Sequence, residues 1–126
     1  MQSGSCLCGA TRFTASGPLG APSACHCSQC RKNSGHHWAS TSTPLSGFAL
    51  TCSDSLGWYQ DTPTARRGFC KTCGSFLFWQ HLDEDEISIS MSAFDTETGL
   101  KLSRHIFTAD KGDYYDISDG LPQRPD

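Results

Sequence analysis

Cys6-Leu7-Cys8-Gly9, Cys25-His26-Cys27-Ser28-Gln29-Cys30 and Cys70-Lys71-Thr72-Cys73-Gly74 hold seven of the chain's eight cysteines. Cysteines two or three positions apart make poor disulfide partners, but they can turn two or three sulfurs toward a single ion. A disulfide framework also belongs to an oxidising compartment. The opening Met1-Gln2-Ser3-Gly4-Ser5 has neither the basic nor the apolar segment of an export signal. A cytoplasmic setting is therefore expected, with thiols that are free to hold metal.

The ligand count divides the seven. A closed structural zinc site takes four protein ligands, whereas a catalytic one typically takes three and leaves a position open. The two pairs supply four: Cys6, Cys8, Cys70 and Cys73. Each pair is followed by a glycine, Gly9 or Gly74, and glycine tolerates the positive φ that lets a backbone turn beneath a metal. Cys25, Cys27 and Cys30 are followed instead by Arg31-Lys32 and read as the open site, although Cys52 or a histidine could close it. Cys52 ends Phe48-Ala49-Leu50-Thr51-Cys52, where alternation predicts a buried strand cysteine.

Around these clusters the chain predicts short strands. Its 126 residues make one domain, 1–126, and the apolar share of 37% and charged share of 18% are too low for a helical bundle. Metal binding coupled to folding compensates for so thin a core. Strands are expected at Thr11–Ala15, His37–Ser42, Phe48–Cys52, Leu56–Gln60 and His105–Phe107. Phe76–Trp79 and Ile87–Met91 should form a hairpin around the acidic tip Asp83–Glu86, and Ser28–Asn33 a helical turn stopped at Gly35. No apolar run is long enough to span a bilayer, and a net charge of −3 argues against nucleic acid as a partner.

Gly4-Ser5-Cys6-Leu7-Cys8-Gly9-Ala10-Thr11-Arg12-Phe13, the triplet with Arg31-Lys32, and Phe69-Cys70-Lys71-Thr72-Cys73-Gly74-Ser75 occur in that order, followed by Asp116-Ile117-Ser118-Asp119-Gly120-Leu121-Pro122. The set resembles the glutathione-dependent formaldehyde-activating enzyme family, also called the centromere protein V family. The resemblance implies a mainly β, Mss4-like fold of small twisted sheets stitched by zinc. It implies two zinc ions per chain when fully loaded. One is structural, on Cys6, Cys8, Cys70 and Cys73; the second, more readily lost, is functional on Cys25, Cys27 and Cys30. The implied activity is that of a carbon–sulfur lyase, which joins glutathione to formaldehyde.

The residues support such chemistry. Only a thiolate attacks carbon, and a metal with an open position makes a thiolate from a thiol at neutral pH. A glutathione-like thiol and a small aldehyde are the expected partners. Arg31 and Lys32 are candidates for the thiol's carboxylates, and His26, His36 and His37 for a proton donor. Arg66, Arg67 and Lys71 also lie near cysteines, where cations either attract an anionic thiol or offset the charge of the bound thiolates. Two alternatives use the same residues: a thiol carrier without catalysis, and a structural zinc module for protein contacts.

Overall fold

The computed structural model describes all residues, Met1–Asp126, and they form ten short strands and one helix. Strands β1 (Gln2–Ser5), β2 (Arg12–Ala15) and β5 (Phe48–Cys52) make a three-stranded sheet in the order β1-β2-β5. A seven-stranded sheet contains β3 (Ser23–Cys25), β4 (Trp38–Pro44), β6 (Leu56–Thr62), β7 (Ala65–Cys70), β8 (Phe76–His81), β9 (Glu86–Ser90) and β10 (Arg104–Ile106). Its order is β10-β3-β4-β9-β8-β7-β6, antiparallel throughout except for the parallel pair β10 and β3. The fold is mainly β, as expected. No helix is long and apolar enough to cross a membrane.

The core lies between the two sheets and is largely aromatic. Phe13 of β2 meets Phe78 of β8 edge-on at 5.4 Å between ring centroids, and Phe48 of β5 meets Phe78 in the same way at 5.3 Å. Ile87, Ile89 and Leu77 complete the apolar contacts, and Cys6 and Cys70 are buried at the core's margin. Leu77 and Phe78 are adjacent yet both buried, which a regular strand does not allow. The register accounts for it: Gly68 pairs with Phe78 and Phe69 with Phe76, so Leu77 sits in a bulge.

Helix α1 (Ser28–Ser34) starts at Cys27, whose sulfur accepts from the Cys30 N–H, and stops at Gly35 with φ +84°. The hairpin β8–β9 forms around the acidic tip as its alternation predicts. Cys52 corrects one expectation. It is exposed, because β5 is an edge strand of the small sheet and, of its alternating set, only Phe48 packs against the core, while Leu50 and Cys52 are exposed.

Gly4 is a packing requirement. It pairs with Phe13 across β1 and β2, and a Cβ at this position would overlap both the Phe13 ring and the Ala93 carbonyl oxygen. Gly4→Ala should therefore destabilise the domain by about 1–3 kcal/mol, the usual cost of overpacking. Urea unfolding would register this as a lower midpoint, and an unchanged midpoint would refute the packing argument.

Candidate metal centres and the adjoining cavity

The first and third knuckles are built alike. After β1 the chain turns at Cys6–Gly9, with Gly9 N–H donating to the Cys6 carbonyl at 3.2 Å and Gly9 at φ +80°. After β7 it turns at Cys70–Gly74, with Gly74 N–H donating to the Cys70 carbonyl at 2.8 Å and Gly74 at φ +82°. The Leu7 N–H reaches across to Ser75 Oγ at 3.0 Å and ties one turn to the other. All four sulfurs then lie within 4.8 Å of one another. Cys6 Sγ is 3.6 Å from Cys8 Sγ, and Cys8 Sγ is 3.8 Å from Cys70 Sγ. A tetrahedron with metal–sulfur bonds of about 2.3 Å has edges of about 3.8 Å, so this donor set fits zinc. Ser75 Oγ lies 3.2 Å from Cys73 Sγ, and this hydroxyl brings the Cys73 thiol down to about 5.

The triplet gathers from three kinds of local structure. Cys25 ends β3, Cys27 caps α1, and Cys30 is buried on the helix one turn later. Their sulfurs also lie within 4.8 Å of one another, and no histidine nitrogen or carboxylate oxygen joins the cluster. Hydrogen bonds from the Cys25 and Cys30 thiols bring Cys27 down to about 2. The reciprocal bond from Cys27 lifts Cys25 to about 11, and Cys30 is driven upward by both neighbours and by burial. The three thiols thus compete for protons, with the negative charge favoured on Cys27. Three sulfurs this close together suit a dication, which takes the place of their protons when it binds.

Arg67 supports this cluster from β7. It is buried, with Nε 2.5 Å from Asp61 Oδ2, Nη2 3.2 Å from Gln29 Oε1 and Nη1 3.8 Å from Cys30 Sγ. Burial alone would weaken its charge, but the contacts with Asp61 and Cys30 hold its pKa above the ordinary arginine value. A fixed positive charge beside Cys30 favours the thiolate form. Of the two roles weighed for nearby cations, Arg67 takes that of offsetting thiolate charge. Arg66 turns away, stacking 3.8 Å from the Trp58 ring centroid and donating to Gln80.

A cavity of about 420 Å³ opens on Cys25, Cys27 and Cys30. Trp38, Trp79, Ile106 and Phe107 form its apolar walls, and its charged lining residues are Arg67 and Asp110. Arg31 and Lys32 do not line it, nor do His26, His36 or His37. His26 is fully buried, with Nδ1 on the Tyr115 hydroxyl and Nε2 2.8 Å from His105 Nδ1. His105 Nε2 in turn lies 2.8 Å from Asp119 Oδ2. Asp119 accepts as a carboxylate, so His105 donates through Nε2 and accepts at Nδ1 from His26, whose Nδ1 accepts from Tyr115. Burial, with His37 and His105 nearby, pushes His26 down to about 4 and keeps it neutral.

The Arg67–Asp61 pair yields a direct test. Replacing Arg67 by Met leaves the buried Asp61 carboxylate without its counter-charge and should cost about 3–5 kcal/mol. Adding Asp61→Leu should recover most of that loss. Urea unfolding of the single and double variants measures both, and a single variant as stable as the parent would show that the pair contributes nothing.

Comparison with known proteins agrees with this architecture. A crystal structure of a Rhodobacter sphaeroides protein, a structural genomics target, is similar with a TM-score of 0.64. The likeness covers 97% of this chain and 98% of the other at 22% identity, and it concerns the fold alone. No curated protein matches the chain. The family model described as glutathione-dependent formaldehyde-activating enzyme matches residues 1–110, a span that takes in all three cysteine knuckles and the walls of the cavity. The chain therefore belongs to the glutathione-dependent formaldehyde-activating enzyme family.

Proposed function

We propose that the protein is a zinc-dependent carbon–sulfur lyase, adding a small thiol to formaldehyde or another small aldehyde and reversing that addition. The observation that carries the proposal is the three-sulfur cluster without a fourth protein donor, opening on a cavity. Cys25, Cys27 and Cys30 hold the functional zinc, and Cys6, Cys8, Cys70 and Cys73 hold a structural one. Zinc at the triplet supplies the Lewis acidity that keeps a substrate thiol ionised at neutral pH.

The chain's own residues do the rest. Arg67 offsets the charge of the thiolates through its contact with Cys30, its guanidinium held in place by Asp61 and Gln29. Trp38 is fixed by its Nε1–H bond to Ser90 Oγ at 3.0 Å and by stacking on Phe76, so it makes a rigid wall for a reactant beside the sulfurs. In the forward direction the thiolate sulfur forms a bond to the carbonyl carbon, and the carbonyl π electrons move to oxygen, which takes a proton from water. The reverse step returns that proton, breaks the carbon–sulfur bond and frees thiolate and aldehyde. The family's name supplies glutathione as the first thiol to try.

One feature favours the carrier alternative: no imidazole faces the cavity, so proton transfer falls to solvent and to hydroxyls such as those of Ser28 and Ser40. Exchange spectroscopy separates the readings. An enzyme accelerates exchange between free formaldehyde and its adduct with whichever thiol binds, glutathione or a neutral one, whereas a carrier binds thiol at an unchanged exchange rate.

The two metal sites should also differ in what they support. Elemental analysis is expected to find two zinc ions per chain, and mild chelation should remove the triplet's ion first without melting the sheets. Cys70→Ser should leave the chain unfolded or insoluble, because structural zinc and folding are coupled. Cys27→Ala should keep the fold and lose both thiol binding and adduct exchange. Simultaneous loss of both ions with unfolding would make the triplet structural, and a folded, zinc-free Cys70→Ser protein would contradict the division.

A further inference from the structure

Arg67 and Asp110 give the cavity beside the triplet one charge of each sign, but only one of them is available to a ligand. Arg67 places Nε on Asp61, Nη2 on Gln29 and Nη1 on Cys30, and it is 4% exposed. Its charge is shared between Asp61 and the Cys30 sulfur, and each of its three nitrogens already holds a partner. Asp110 sits in the single 3₁₀ turn Thr108–Asp110, exposed, with no ion pair and no side-chain hydrogen bond to another residue. Lys111, its neighbour, directs Nζ away to the carbonyls of Gly112 and Tyr115. Arg31 and Lys32 lie outside the lining.

Three thiolates around a dication leave one further negative charge at the cavity floor. A ligand entering as a thiolate therefore meets negative charge at its sulfur end and again at the Asp110 rim. Between the two it meets Trp38, Trp79, Ile106 and Phe107, with Ser23, Ser28, Ser40 and Ser88 also on the lining. Aromatic faces attract an ammonium and have nothing to offer a carboxylate. A thiol with two carboxylates, such as glutathione, would have to bury or crowd anionic groups with no free cation to receive them.

We infer that this cavity selects a thiol with an apolar body and an ammonium at its far end, and discriminates against carboxylate-bearing thiols. The inference rests on the proposed thiol site and narrows its substrate class. The sulfur lies at Cys25, Cys27 and Cys30, the apolar body between Trp38 and Trp79, and the ammonium against Asp110.

A matched series of benzyl mercaptans tests it, carrying aminomethyl, hydroxymethyl or carboxylate at the para position, with glutathione alongside. Calorimetry on the zinc-loaded protein gives affinities, and the sulfur-to-cobalt charge-transfer band of the cobalt-substituted protein reports thiol at the metal independently of any turnover. The expected order is ammonium, then neutral, then carboxylate. The span from first to last should be roughly tenfold at low salt and shrink as salt is raised, as for a partly exposed charge. Asp110→Asn should narrow the gap between the ammonium and neutral thiols. Carboxylate thiols or glutathione binding as tightly as the ammonium thiol would overturn the inference while leaving the thiol site standing, because the neutral thiol still binds. If no thiol binds the loaded protein, the thiol site itself is refuted and the inference with it.

Discussion

Four sulfurs from opposite ends of the fold have to meet, and most of the architecture follows from that meeting. Cys8 and Cys70 stand 62 positions apart, and their knuckles come together at the margin of the aromatic core. Only 24 of 126 residues are buried, so apolar contact alone gives the two sheets a weak hold on each other. Thiols packed at van der Waals distance without a metal would add little. The same four around a metal ion tie the small sheet to the large one across a long loop, where a cross-link is most effective. The glycines at positive φ and the Leu7–Ser75 bond are local devices that serve this convergence.

Strand β7 joins the two centres. Cys70 at its end serves the quartet, and Arg67 three residues earlier serves the triplet. A regular strand would send Arg67 and Cys70 to opposite faces, and here both are buried. Both faces of β7 are covered: Cys70 lies in the aromatic core, and Arg67 reaches Cys30 at the cavity. Burying an arginine in such a strand requires a counter-charge on the neighbouring strand, and Asp61 of β6 provides it. Cysteine clusters that look independent in sequence thus share one element.

Much of this was legible in the sequence, and the reasons for the remainder are specific. The knuckles, the stop at Gly35 and the β8–β9 hairpin each rest on local chemistry, so spacing and alternation revealed them. Strand β7 is not legible there, because Ala65-Arg66-Arg67-Gly68-Phe69-Cys70 looks charged and glycine-broken, and only the partner strand explains a buried arginine. Alternation alone predicts a buried Cys52, but its strand lies at a sheet edge, where alternation no longer implies burial. Arg31 and Lys32 were chosen for proximity along the chain. Proximity through space belongs to Arg67 and Asp110, which arrive from β7 and from the turn after β10.

The triplet keeps only three protein donors despite five histidines in the chain, and the tail explains part of this. His26 stands between two of the cysteines and would be the nearest fourth ligand. Both its ring nitrogens are already engaged, one by Tyr115 and the other by His105, which is itself oriented by Asp119. Tyr115 and Asp119 lie beyond residue 110, outside the span matched by the family model. A carboxylate at the end of the line fixes both tautomers, and rotating His26 toward the sulfurs would leave buried nitrogens on two rings without partners. The last segment of the chain, which supplies no cysteine, therefore holds His26 away from the cluster and leaves the three-sulfur site facing the cavity.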